Sequence, residues 1–199
     1  MTGKLRVLIA TAALSILVIV AYALSVFEEK PASATPLADF SAPFVFGRFQ
    51  LPVDNPLTRE AVELGRRLFY DPRLSNNNTV SCSTCHMQHL AFTDTLKTAV
   101  GVSGKPLAFN SMSLANLMWG PRRFFWNGRT ATLEEQALIP IQHADEMGLD
   151  LDQLVDKLGR DAGYRALFAV AYGELDAAAV ARALATFQRT LVSANSRYD

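Results

Sequence analysis

The sequence predicts an all-α fold with long loops, and three observations predict it. Apolar residues recur at helical spacing in five stretches between Leu57 and Val192, and no run alternates apolar and polar residues as a half-buried strand would. Glycines and prolines (Gly101, Gly104, Pro106, Gly120, Pro121) break residues 93–125 into loops. An uncharged run, residues 7–27, stands ahead of the domain as an N-terminal transmembrane or signal helix. Half of the 199 residues are hydrophobic and 19 basic residues balance 19 acidic ones, which suits a globular protein and argues against a nucleic-acid partner.

Taken in order, Lys4 and Arg6 give the apolar run a basic flank, the arrangement of an export segment. Ala21-Tyr22-Ala23 and Ala32-Ser33-Ala34 are candidate cleavage sites for a signal peptide. An uncleaved anchor is the favoured form, because the run continues past the first site and the second lies far from it. Residues 28–56 hold five of the nine prolines and read as a linker that becomes a docked N-terminal arm. About 165 residues remain beyond the export segment, enough for one domain with a core.

The domain, residues 57–199, opens with a helix capped by Thr58 and carrying Ala61, Leu64 and Leu68 with Val62 and Phe69; Asp71-Pro72 stops it. A polar loop, Ser75 to Thr79, leads to the two cysteines. A short helix is expected near Met112–Met118. Thr132 and Glu135 have capping-box spacing and open a helix that Pro140 should end. Three more helices follow: Asp150–Leu158 closed by Gly159, Ala162–Ala171 closed near Gly173, and Asp176–Val192 with Val180, Ala183, Leu184, Phe187 and Leu191 on one face.

The chemistry is concentrated in SCSTCHMQHLAF, residues 81–92, which contains both cysteines and two of the three histidines. Cys82-x-x-Cys85-His86 has the spacing that attaches a c-type haem: each sulfur adds to one vinyl group while the imidazole ligates iron from the same side. A redox CxxC pair prefers a βαβ context that is missing here, and a zinc site needs further Cys or His ligands at suitable spacing. Two cysteines in an exported chain make no disulfide framework. His89, tethered to the same side as His86, reads as a bystander. His143 and Met87, Met112, Met118 and Met147 are the candidates for the second axial face. A Met or His there would give an electron carrier, and an open face would give peroxide chemistry.

FWNGRTATLEEQALIPIQHADEMG, residues 125–148, together with LPVDNPLTREAVELGRRLFYDPRLS before the cysteines and AFTD after them, resembles the N-terminal haem domain of the bacterial di-haem cytochrome c peroxidase and MauG family. The resemblance covers about residues 50–199 and implies a cytochrome c-like haem domain. It implies thioether links at Cys82 and Cys85, with His86 as proximal iron ligand. It places Gln136 and Glu146 over the distal face as catalytic residues, with Pro140 between them closing the pocket. Trp126 matches the family's electron-relaying tryptophan, although its bland reading is a core residue beside Phe124 and Phe125. Asn110 matches an asparagine that helps to bind calcium, and Arg129 could pair with a haem propionate or cap a loop. The bland readings of Glu146 and Gln136 are a solvated acid and a surface amide.

The chain departs from the family in two ways. Residues 93–109 contain no His, so no activation-dependent distal His is expected there, and family members continue into a second CxxCH domain where this chain ends at Asp199. The expectation is an exported mono-haem c protein that reduces hydrogen peroxide with electrons from another cytochrome or haem domain. It would work on the periplasmic side of the inner membrane, anchored, or as a soluble periplasmic form after cleavage. The rivals are a non-enzymatic electron carrier and an inactive fragment of a di-haem enzyme.

Overall fold

The computed structural model describes residues 35–37, 40, 43, 46–194 and 197. The helices are α1 (Arg59–Tyr70), the single turn α2 (Cys82–Cys85), α3 (Leu133–Gln142), α4 (Leu151–Gly159), α5 (Ala162–Tyr172) and α6 (Ala177–Arg189). Short 3₁₀ turns lie at Pro72–Leu74, Gln88–Leu90 and Leu117–Trp119. Among the described residues the only extended pairing is isolated antiparallel bridges, which pin loops rather than build a sheet. None of the described helices is long and apolar enough to cross a membrane. The expected export segment, residues 7–27, lies outside the described residues.

α1 and α6 form the central packed pair. The Thr58 hydroxyl accepts from the Ala61 amide at 3.3 Å, and Asp176 accepts from the Ala179 amide at 2.6 Å, so each helix begins on the cap its sequence supplies. α1 buries Ala61, Leu64, Gly65, Leu68 and Phe69. α6 buries more than a stripe, with every residue from Ala183 to Arg189 enclosed, because α1, α3 and α4 all pack on it. The crossing is set by Gly65. A Cβ there would lie 2.0 Å from the Ala183 carbonyl oxygen and 2.8 Å from Phe187 Cβ, so only glycine lets the two backbones approach this closely.

The other elements complete the frame. Pro140 does not end α3, contrary to the sequence expectation. It sits inside the helix, which runs on to Gln142 and closes through the His143 amide bonding to the Ile139 carbonyl at 3.0 Å. A proline costs only its own missing N–H and a local clash, and flanking packing by Ala137 and Ile141 outweighs that. Half of the expected capping box is present: the Glu135 amide donates to Thr132 Oγ1, while the Glu135 carboxylate receives the Ala131 amide instead of the Thr132 amide. The helix expected near Met112–Met118 is only the turn Leu117–Trp119, and α6 stops at Arg189 rather than Val192.

Two polar clusters tie the frame to its loops. Lys157 donates to the carbonyls of Arg73 and Ser75 and to Asn78 Oδ1, fixing the polar loop ahead of the cysteines. Asn55, 2 % exposed, donates to Glu134 Oε1 at 2.7 Å and accepts from Thr186 at 3.0 Å, so the arm reaches between α3 and α6. Arg189 completes this node with a bidentate pair to Glu134, at 2.7 and 3.0 Å. Burial alone would raise the Glu134 carboxyl, but hydrogen bonds from Arg189 and Asn55 hold it below the ordinary value.

Gly65→Ala should lower the unfolding free energy by about 3 kcal/mol, although alanine's helix propensity returns about 1 kcal/mol; an unchanged denaturant midpoint would contradict the close crossing. Arg189→Met should cost about 3 kcal/mol by stranding a mostly buried carboxylate, whereas Arg66→Gln, on a loose 3.9 Å pair with both side chains solvated, should leave stability unchanged. Because the folded Glu134 value is depressed, its contribution is complete above about pH 4.3 and lost as pH falls through the lower folded value. Acid denaturation of Glu134→Gln should therefore be shallower than that of the parent chain.

Candidate haem site

The cysteine turn is built locally. The Ser81 amide donates to Thr84 Oγ1 at 3.0 Å and the His86 amide to the Cys82 carbonyl at 2.9 Å, closing one helical turn that carries both thiols and the imidazole. Both cysteines are free. Burial pushes the Cys82 thiol up to about 12 and raises Cys85 as well, with Asp94 and Glu146 adding to the latter. Thiols raised in this way are poor nucleophiles, which does not suit a reactive redox pair. No cluster of three or more Cys, His, Asp or Glu side chains among the described residues could hold an ion.

His86 is aimed by the backbone. Its Nδ1 lies 2.8 Å from the Phe92 carbonyl oxygen, and since a carbonyl only accepts, Nδ1 carries the proton and Nε2 keeps a free lone pair for a metal. Burial pushes the imidazole down, partly offset by the Phe92 and Met112 backbone, so the ring is neutral. The Phe92 carbonyl is turned inward by two consecutive left-handed residues, Ala91 at φ 55° and Phe92 at φ 58°. Each costs about 1 kcal/mol or more, held by amides of Met87 and Phe92 bonding to Thr93 and Met87 carbonyls, both at 2.9 Å. His89 is exposed and takes no part in this arrangement.

Cys82, Cys85 and His86 open onto a cavity of about 550 Å³, within the range of cofactor sites. The lining also includes Asn110, Trp126, Arg129, Gln136, Pro140 and Glu146, together with His143, Met112 and Met147; Met87, Met118 and His89 are not part of it. Gln136 is no surface amide: it is 8 % exposed, and its Oε1 is enclosed without a hydrogen-bond partner. Such an orphan costs about 1–3 kcal/mol. Gln136 also lines the cavity, which leaves its NH₂ as the end of the amide free to serve what binds there.

Glu146 reaches the wall because the chain folds back after α3. The Glu146 amide bonds to the His143 carbonyl at 2.9 Å and the Met147 amide to the Pro140 carbonyl at 3.1 Å. Gly101 presses against this turn from the other side, where a Cβ would stand 2.3 Å from the carbonyl oxygens of Asp145 and Glu146. The Glu146 carboxyl is mostly buried, at 23 % exposure, rather than a solvated acid, with Oε1 3.9 Å from His143 Nδ1. Burial raises it above the ordinary carboxylate value, against the pull of His143 and Arg129.

Trp126 is 61 % exposed, which overturns its reading as a core residue. The loop from Phe124 to Thr130 is closed by the Phe124 amide on the Thr130 carbonyl and turned by Phe125 at φ 64°, so the indole stands at the cavity edge and donates to the Asn110 carbonyl at 3.2 Å. Arg129 lies over the Phe125 ring at 3.4 Å and donates to Asn127 Oδ1. Two features escaped the sequence reading. Phe92 contributes only a carbonyl and left no signal. Gln188 lines the cavity from α6, one turn after Leu184, and its signal was a polar residue on an otherwise apolar helix face.

A pair of half-buried thiols on one turn, an imidazole with a free Nε2, an orphaned amide and a large open cavity together fit a covalently held c-type haem. The description of the matching family model is di-haem cytochrome c peroxidase, over residues 59–199. The methylamine utilization protein MauG of Methylorubrum extorquens is 46% identical over 151 residues, 74% of this chain and 42% of that protein. The cytochrome c peroxidase Ccp of Escherichia coli is 32% identical, over 75% of this chain and 32% of its own. A crystal structure of a MauG-like protein associated with microbial copper homeostasis superposes with a TM-score of 0.75 at 38% identity, covering 80% of this chain and 48% of that one. The chain thus spans less than half the length of these relatives, and over the region that carries its cavity it belongs to the di-haem cytochrome c peroxidase family, whose members bind c-type haem.

Proposed function

We propose that this chain carries one covalent haem and reduces hydrogen peroxide with electrons from another cytochrome or haem domain. The observation that carries the reading is the shared cavity: a mostly buried carboxyl, Glu146, and an enclosed amide, Gln136, open onto the space lined by Cys82, Cys85 and His86. An electron carrier has no use for a mostly buried carboxyl in its haem cavity, whereas peroxide cleavage uses a group that takes up and returns a proton. In this reading residues 1–27 are the export segment, 28–56 the arm and 57–199 the haem domain, working on the periplasmic side of the membrane. The support is the uncharged run after Lys4 and Arg6.

When bound, the haem supplies an iron site for peroxide and passes on the two electrons that, with two protons, turn peroxide into two waters. His86, its Nδ1 proton held by the Phe92 carbonyl, would offer Nε2 as a ligand to that iron. Glu146, as carboxylate, takes the proton from one peroxide oxygen and delivers it to the other, and its raised value brings the exchange nearer to neutral pH. Gln136 donates from its NH₂ to orient the peroxide. Pro140, between them on the wall, brings no competing backbone donor. Arg129, over the Phe125 ring and bonded to Asn127, would pair with a haem carboxylate, and Trp126 would pass electrons at the cavity edge, where it is exposed. Calcium at Asn110 would need further oxygen ligands around that residue.

Glu146→Gln, measured in the haem-loaded protein by stopped-flow mixing with peroxide, should slow the reaction by about 100-fold or more with haem retained; an unchanged rate removes Glu146 from the mechanism. In the parent protein the rate should fall as pH drops through a midpoint above about 4.3, the ordinary glutamate value, as the carboxylate takes up its proton. That limb should vanish in Glu146→Gln. Gly101→Ala should slow peroxide by roughly 100-fold through misplacement of the Glu146 turn. Gly104→Ala, with no atom within 4 Å of its added Cβ, should leave the rate unchanged despite its φ of +69°.

A further inference from the structure

Gln188 has no role in the mechanism above, yet it repeats the features that single out Gln136. It is 5 % exposed, its Oε1 is enclosed without a partner, and it forms part of the cavity wall. Its backbone carbonyl accepts from the Leu191 amide at 3.2 Å, but the side-chain hydrogen bonds of the neighbouring segment bypass its amide. Arg189 is bound to Glu134, and the Thr190 hydroxyl to the Phe187 carbonyl. With the oxygen enclosed, the NH₂ is the end of the amide left to serve the cavity that the residue lines. Exchanging oxygen and nitrogen would not relieve the conflict, because it would enclose two unpartnered donors in place of one unpartnered acceptor.

The side chain is also held in place. Leu184, one turn before it, is 1 % exposed, and Phe187 is 6 % exposed. The bidentate Arg189–Glu134 pair fixes the end of α6 against the first turn of α3, the helix that carries Gln136. A rigid, desolvated NH₂ aimed into a cavity is a preorganised donor for an oxygen anion, since charge-assisted hydrogen bonds are the strong ones and no water competes.

We propose that Gln188 is a second amide donor of this cavity, giving a hydrogen bond from its NH₂ to an anionic oxygen of what binds there. Two sources share that chemistry: a haem carboxylate, and an anion held at the iron. The inference rests on the haem reading above and assigns to α6 a residue that touches the bound group directly.

The test uses the haem-loaded chain and the variant Gln188→Leu, with Gln188→Ala as a second donor-free variant should leucine impair haem loading. Two quantities are measured: the affinity of the ferric protein for fluoride, an anion that accepts hydrogen bonds, and the haem midpoint potential. If Gln188 faces an anion at the iron, fluoride affinity falls about tenfold and the potential holds. If it faces a haem carboxylate, the potential shifts downward, because an unscreened carboxylate favours the ferric state, and fluoride affinity holds. Both quantities unchanged in both variants overturns the proposal. A parent protein that binds no fluoride overturns the open-site reading instead, and the potential alone then decides the role of Gln188.

Discussion

The cavity depends on how closely α1 and α6 approach at Gly65. Phe69 from α1 and Leu184 and Gln188 from α6 form one side of the space, and their positions follow from a crossing that a single methyl group would pry apart. Everything else is referred to that pair. α3 packs on α6 and brings Gln136; α5 packs on α1 and holds the Asp71 corner through Tyr164, whose hydroxyl donates to Asp71 Oδ2 at 2.7 Å. The cysteine turn then hangs from α1 by a polar loop that Lys157 stabilises from α4.

Polar groups are sorted with respect to this frame. Between the arm, α3 and α6 they are satisfied: Asn55, Glu134, Thr186 and Arg189 saturate one another, while Thr130 Oγ1 and Arg182 Nε stay enclosed without hydrogen-bond partners elsewhere. At the cavity three side chains stand out. Gln136 and Gln188 each leave an oxygen orphaned, and Glu146 is desolvated without a close partner, its nearest cation site being His143 at 3.9 Å. Buried polar groups are normally paired. Three such groups around one cavity suit a space whose occupant brings its own hydrogen-bonding atoms.

Much of this was readable from the chain. Caps at Thr58, Thr132 and Asp176 and the apolar periodicity of α1 and α6 located the helices, because local hydrogen bonds and burial acted in the same direction there. The motif Cys82-x-x-Cys85-His86 carried its chemistry in its spacing. Pro140 was misjudged because packing by its neighbours outweighs one missing N–H. For Trp126 only the alternative reading as a core residue fails: the indole is exposed on a loop turned by a left-handed Phe125 that no local pattern announces. The aiming of His86 by a backbone carbonyl, and the close approach at Gly101, are tertiary facts that side-chain identity does not encode.

The central claim is that the group held at Cys82, Cys85 and His86 keeps a face open to peroxide, with Gln136 and Glu146 lining the way. The most direct measurement is the electron paramagnetic resonance and absorption spectrum of the ferric haem-loaded chain before and after one equivalent of hydrogen peroxide. A mainly high-spin ferric signal that is lost on mixing is the predicted result. A low-spin signal that peroxide leaves untouched, with Met112, Met147 or His143 filling the second axial position, would contradict the account.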